Sequence, residues 1–167
     1  MLGQRALHAG HASGARARCM RSLDVSKDAG DKRNEAAARA WLGRVEFVGG
    51  DFAAARPKLA GALRAFMAFE MFAELLGCLE DHAELFSATA QPEQAIRLCA
   101  AVEAVRDRLA VPRSPRRKRR WEALVVGNRA AVDRERFDAA WAGGLTVELQ
   151  EAIRLAQSQP IDELALT

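Results

Sequence analysis

The chain repeats itself every 40 residues: Leu2-Gly3, Gly10, Ala15 and Leu23 return as Leu42-Gly43, Gly50, Ala55 and Leu63. A third copy follows with Ala83, Ala95 and the apolar run 98–102. A fixed period of this length is the signature of stacked helical hairpins, in which each unit buries its apolar face only against its neighbours. Composition agrees. Half of the 167 residues are apolar, which excludes a disordered class, but only 6% are aromatic and there is no Tyr. Close-packed Ala- and Leu-rich helices suit that inventory better than strands, which draw on β-branched and aromatic residues. The expected fold is all-α, an α-solenoid of helical hairpins.

Within the repeats, DKRNEAAARAWLGRVEFVGG reads as one helix, with Ala38, Trp41, Leu42, Val45 and Val48 at spacings of three and four and Gly49-Gly50 as its stop. Asp51 is a good N-cap for the next helix, whose stripe is Phe52, Ala55, Leu59, Ala62, Leu63 and Phe66. The small residues Gly43 and Ala55 let these two helices approach closely. Pro57 predicts either a later start or a kink, because an interior proline costs about 3 kcal/mol. The third unit runs through MFAELLGCLEDHAELFSATA and, after Gln91-Pro92, PEQAIRLCAAVEAVRDRLA. Upstream, residues 10–31 read as the second helix of a first unit and MLGQRALHA as only the back half of its first helix. The expectation is a first hairpin cut in mid-unit, with an apolar edge that points to self-association as a homodimer. Beyond Pro112 the repeat stops. A helix over 115–131, a short one over 134–141 ended by Gly143-Gly144, and a last one capped by Thr146 and running to Gln157 would close the stack as a three-helix cap. The division is thus 1–112 for the repeats, 113–158 for the basic linker and cap, and 159–167 for a tail.

These units resemble tetratricopeptide-like repeats, and LGCLEDHAELFSATAQPEQAIRLCAAVEAVRDRLAVP followed by RFDAAWAGGLTVELQEAIRLA resembles the C-terminal region of large bacterial ATPase-type regulators, many of which carry a LuxR-type DNA-binding domain. The resemblance implies a sensing or partner-binding role. It departs from the family at His82, where Leu is usual, and at RSPRRKRR, where the charge pattern is milder. No GxxxxGK[ST] phosphate loop is present, so ATP hydrolysis does not carry over. A DNA-binding domain is not visible either.

In tetratricopeptide-like repeats the first helix of each hairpin lines a groove, which places Arg44, Glu80 and Glu84 there; Arg44 and Glu84 are 40 residues apart at equivalent positions. Such a groove suits the charged ends of an extended peptide. The plainer reading is a solvated Arg44–Glu84 pair across adjacent repeats, worth under about 1 kcal/mol. The cluster Glu80-Asp81-His82-Glu84 lacks a second His at i+4, so a metal site is not expected. No nucleophile with a local base is recognisable and there is no GxSxG, so neither catalytic residues nor a cofactor are expected.

The basic run is the sharpest feature outside the core. Of 25 basic residues, six (Arg113, Arg116, Arg117, Lys118, Arg119 and Arg120) lie within eight positions, and the remaining 19 face 22 acidic ones. The run suits phosphate backbones with Trp121 stacked on a base, the alternative to a protein or peptide partner. Against it, the last helix carries Glu148 and Glu151 with Arg154 as its one basic residue. Trp41, Trp121, Trp141 and the phenylalanines fall on apolar stripes and are expected in the core. Cys19, Cys78 and Cys99 show no CxxC spacing, and Cys19, Leu59 and Cys99 share one repeat position, which reads as a small reduced core residue. With no signal-peptide pattern and no long apolar window, the expected location is cytoplasmic, without a membrane.

Overall fold

A computed structural model describes residues 2–158, with side chains from residue 13 onward. The described residues form eight helices and no strand: α1 (Leu2–Asp28), α2 (Lys32–Val48), α3 (Phe52–Ala68), α4 (Phe72–Ala88), α5 (Pro92–Leu109), α6 (Pro115–Ala131), α7 (Arg134–Leu145) and α8 (Leu149–Gln157). None is long and apolar enough to cross a membrane. The tail expected over 159–167 lies outside the described residues.

One turn, repeated, sets the spacing of the first five helices. Gly30, Gly50, Glu70, Ala90 and Ala110 fall 20 residues apart, and all five have positive φ, from 52° to 84°. At each turn the amide one residue further on donates to a carbonyl five residues back: Asp31 to Ser26, Asp51 to Glu46, Met71 to Phe66, Gln91 to Phe86 and Val111 to Arg106. This is a left-handed C-terminal closure that satisfies carbonyls the helix end would leave bare. The next helix starts at once. Asp31 and Asp51 cap it with their side chains, accepting from Asn34 and Ala54 amides at 3.0 and 2.9 Å. Connections of three residues leave consecutive helices no choice but to fold back on each other.

Between the turns, Leu59, Leu63 and Phe66 of α3, Leu75, Leu79 and Phe86 of α4, and Leu98 and Val102 of α5 form the core. Gly43 makes the α2–α3 crossing close, since a Cβ there would stand 2.9 Å from Leu59 Cγ. Helix α3 runs from Phe52 straight through Pro57, so it does not start late. Helices α6, α7 and α8 fold back on the earlier helices: α6 against α4 and α5, α7 along α5, and α8 over α3, α4 and α5.

Several expectations need correction. Helix α1 passes unbroken through Gly10, where a turn was expected. Gly10 lacks what its equivalent Gly50 has: a second glycine before it and a capping Asp after it. An isolated glycine costs a helix only about 1 kcal/mol and does not stop it. Thr146 does not cap α8. It closes α7, its hydroxyl donating to Gly143 O at 3.1 Å, and Glu148 stands at the N-cap of α8. Helix α7 likewise continues through Gly143-Gly144. Gly144 is there for packing: a Cβ would lie 2.6 Å from Ala100 Cβ and collide with the Arg97 carbonyl of α5. Trp41 and Val48 are 59% and 66% exposed rather than core, because Leu42 and Gly43 take the inward face of α2. Cys78 and Cys99 are buried as expected for core residues, whereas Cys19 is only half-buried; all three are free thiols.

The two glycines of α7 therefore respond oppositely to alanine. Gly144→Ala drives α7 off α5 and lowers stability by about 2 kcal/mol. Gly143→Ala, which meets nothing within 4 Å, leaves stability unchanged or raises it by up to about 1 kcal/mol. Urea unfolding of both variants measures the difference.

Candidate functional site

Helix α4 carries Glu80, Asp81 and Glu84 on one side, and the structure sets five arginines around them. Glu80 Oε1 accepts from Arg106 Nε at 2.9 Å and Arg113 Nε at 2.7 Å, while Oε2 accepts from Arg117 Nη1 at 3.3 Å. Asp81 Oδ1 accepts from Arg120 Nη2 at 2.9 Å and Arg44 Nη1 at 3.3 Å. Glu84 is held between Arg44 of α2 and Arg120 of α6. Arg113 also pairs with Glu103 of α5 at 2.6 Å. Sequence reasoning placed Arg44, Glu80 and Glu84 in one groove and residues 113–120 in a separate feature. The structure brings Arg113, Arg117 and Arg120 of that run onto Glu80, Asp81 and Glu84.

Helix geometry explains the fit. Arg113 sits just before α6, and Arg117, Arg120, Trp121 and Leu124 follow at spacings that keep them on one face. Ser114 caps the helix by accepting from the Arg117 amide, and Pro115 occupies its first position without wasting a donor. Gly77 clears the floor of the contact: a Cβ there would lie 2.7 Å from Arg117 Cζ. The guanidinium lies over Gly77 and donates to its carbonyl oxygen at 3.0 Å.

Burial sets the electrostatics. Arg106 and Glu80 side chains are only 5% and 6% exposed. Burial lowers the pKa of Arg106, although Glu80 opposes the shift. Burial likewise raises the Asp81 carboxyl above its ordinary value against the pull of Arg44, Arg117 and Arg120. Burial works against the charge of Arg120 too, but Glu84 and Asp81 outweigh it and lift its pKa. This is not the solvated surface pair of the plainer reading, whose partners would stay in water.

The nucleic-acid expectation changes with this geometry. Arg113, Arg117 and Arg120 are committed to α4 carboxylates. Trp121 is 8% exposed and lies under the Arg113 guanidinium, 3.9 Å from its ring centre, so it offers no face to a base. Arg116, Lys118 and Arg119 point to solvent and carry no ion pair among the described residues. Trp141 is half-buried and stacks on Phe137.

His82 faces the other way from its acidic neighbours. It is 1% exposed, at the contact with α8, near the backbone of Leu59 and Ala156. Burial, assisted by the nearby charge of Arg56, holds its pKa at about 4 against an ordinary 6.5. It is a neutral packing residue, and α8 is its cover.

Beside the ion-pair site, an open groove of about 450 Å³ is lined by Arg44 and Phe47 of α2, Ser87 and Ala88 of α4, and Ala123, Leu124 and Gly127 of α6. Arg44 stacks over Phe47 at 4.9 Å from the ring centre. Sequence reasoning missed this groove because it depends on where α6 docks. No protein-family profile, curated protein or solved structure matches the chain.

Two measurements check the site. Glu80→Gln leaves buried Arg106 without a carboxylate and Arg113 with Glu103 alone, and costs about 3 kcal/mol in chemical unfolding. His82 gives a pH signature. Its folded pKa lies below the unfolded one, so the unfolded chain takes up the proton first as pH falls. Stability is therefore full above pH 6.5 and declines down to about pH 4, by about 3 kcal/mol in all. His82→Leu removes that slope, and the stability difference between variant and wild type over this range isolates it from the carboxylates.

Proposed function

We propose that the chain is a non-catalytic protein-interaction or regulatory module, a tetratricopeptide-like stack related to the repeat region of bacterial ATPase-type transcriptional regulators. One observation carries the reading: the acidic face of α4 already holds a helix, α6, by complementary charge. A surface that recognises one helix with buried ion pairs has the chemistry to recognise a protein partner beside it. Exposed Trp41 and Val48 stand one helical turn to either side of Arg44, which lines the neighbouring groove, and supply apolar area that a partner needs. The cytoplasm is the proposed location.

The second reading is nucleic-acid association through the free face of α6. Arg116, Lys118 and Arg119 support it. With three residues available instead of six, the salt dependence falls to a slope of about 3. Such a patch serves non-specific contact and not sequence readout.

Nuclease treatment separates the two. The module reading expects that the tagged chain captures a protein from a cell lysate and retains it after DNA and RNA are digested. Capture that disappears with digestion, and also with Arg116→Glu, Lys118→Glu and Arg119→Glu combined, favours the nucleic-acid reading instead.

A further inference from the structure

The repeat lets one face be compared with itself. Forty residues separate Ala37 from Gly77, Ala40 from Glu80, Trp41 from Asp81, Arg44 from Glu84 and Val48 from Ala88. On α4 that face is acidic, and α6 covers it. On α2 the same face is apolar apart from Arg44, and among the described residues no helix covers Trp41 or Val48. The two faces are continuous, with Arg44 reaching from one to Glu84 and Asp81 on the other.

Helix α6 forms the far wall of the uncovered part. Arg116, Arg120, Ala123 and Gly127 follow at steps of four, three and four, which puts them along one side of α6. Three of them line the groove, and the fourth, Arg116, extends the same ridge by a turn. Ala88, Ala123 and Gly127 keep the walls low enough for another backbone to come close. At the floor, Arg44 and Arg120 are balanced by Asp81 and Glu84, so the floor is neutral. The end of the ridge is not. Arg116, with Arg119 one turn from it on the free face, leaves positive charge uncompensated.

We infer that the groove between α2 and α6 is the docking site for an amphipathic helix of a partner protein, apolar where it crosses Trp41, Phe47 and Val48 and acidic at the end that meets Arg116. This rests on the interaction-module reading and names its partner's chemistry. The docked helix lies beside α6 and extends over α2 the layer that α6 forms over α4. Its carboxylates meet Arg116 and Arg119, and its apolar side chains cover Trp41.

The test uses the full chain and a synthetic helical peptide about as long as α2, labelled for anisotropy, with leucines at i, i+4 and i+7 and glutamates in its first turn. A control peptide has lysine in place of each glutamate. The acidic peptide is expected to bind at least about tenfold more tightly than the control, and Trp41→Glu to weaken it by about tenfold or more. Arg116→Glu is expected to weaken it severalfold, and Val25→Glu, exposed on α1, to leave it unchanged. Both Trp41 and Val25 are surface residues, so circular dichroism should show all variants folded. Equal binding of the two peptides, or indifference to Trp41→Glu, overturns the proposal. So does a concentration-dependent dimer that Trp41→Glu abolishes while the peptide fails to bind, which assigns the groove to a second copy. If Trp41→Glu retains a nuclease-resistant protein partner in full, the groove assignment falls and the module reading stands. If the peptide binds as expected but every captured protein is lost to nuclease, the groove stands and the module reading falls.

Discussion

Three carboxylates on one turn of α4 would not stay charged inside this protein without the arginines that surround them. Glu80 alone meets three guanidinium groups, one from α5 and two from the segment that opens α6. Taking such charges out of water costs several kcal/mol each, and only close geometry with several partners offsets it. The network is therefore weak evidence for stability and stronger evidence for position. It fixes the height and rotation of α6 on α4. Of the 17 residues of α6 only Trp121 and Asn128 are buried, with Leu124 and Val125 packed partly against the core, so the apolar contact is narrow and the ion pairs set its orientation. The groove described above exists because the charges put α6 where they do.

The helical layers beneath were legible because their signals are local. Gly50 and Asp51 announce a stop and a start, as do Gly30 and Asp31, and the boundaries of α2 to α5 follow the repeat. The same turn at Glu70, Ala90 and Ala110 has no glycine, although Pro92 and Pro112 mark the chain just after the last two. A left-handed conformation at a residue with a Cβ costs about 1 kcal/mol. It is imposed there by helices already held at 20-residue spacing by their cores. The reverse error occurred at Gly143 and Gly144, which look like a stop. Gly144 is small because α5 lies against it, and nothing in the neighbouring sequence tells a packing glycine from a terminating one.

For the ion-pair cluster, sequence reasoning singled out Arg44, Glu80, Glu84 and the basic run, passed over Arg106, and missed how they pair. Arg44, Glu80 and Glu84 followed from the period, and the run over 113–120 followed from composition. Their pairing depends on a chain reversal between α5 and α6 that periodicity does not describe. A signal was present all the same. Arg113, Arg117 and Arg120 repeat at four and three, matching Glu80 and Glu84 on a facing helix, and Gly77 adds a gap on the same side. Arg116, Lys118 and Arg119 break that spacing and fall on the solvent face. A basic run on a helix is thus two populations of residues, and its total charge overstates what a partner can meet.

The residues of α4 that depart from the preceding repeat are the ones that the last helices require. Ala40, Trp41 and Leu42 become Glu80, Asp81 and His82 one period later. Glu80 and Asp81 receive the arginines of α6, and His82 is sealed on the other side by α8. Taken as a cluster in sequence, these three polar side chains suggest a shared chemistry. A helix rotates successive residues by about 100°, so Glu80 and Asp81 stay on the side that meets α6 while His82 turns to the side that meets α8. Each instead meets an element that the earlier repeat lacks. A further copy of the apolar pattern of α2 would offer the arginines of α6 no carboxylate to meet. Polar substitution in α4 is how the repeating part of the chain accommodates the part that does not repeat.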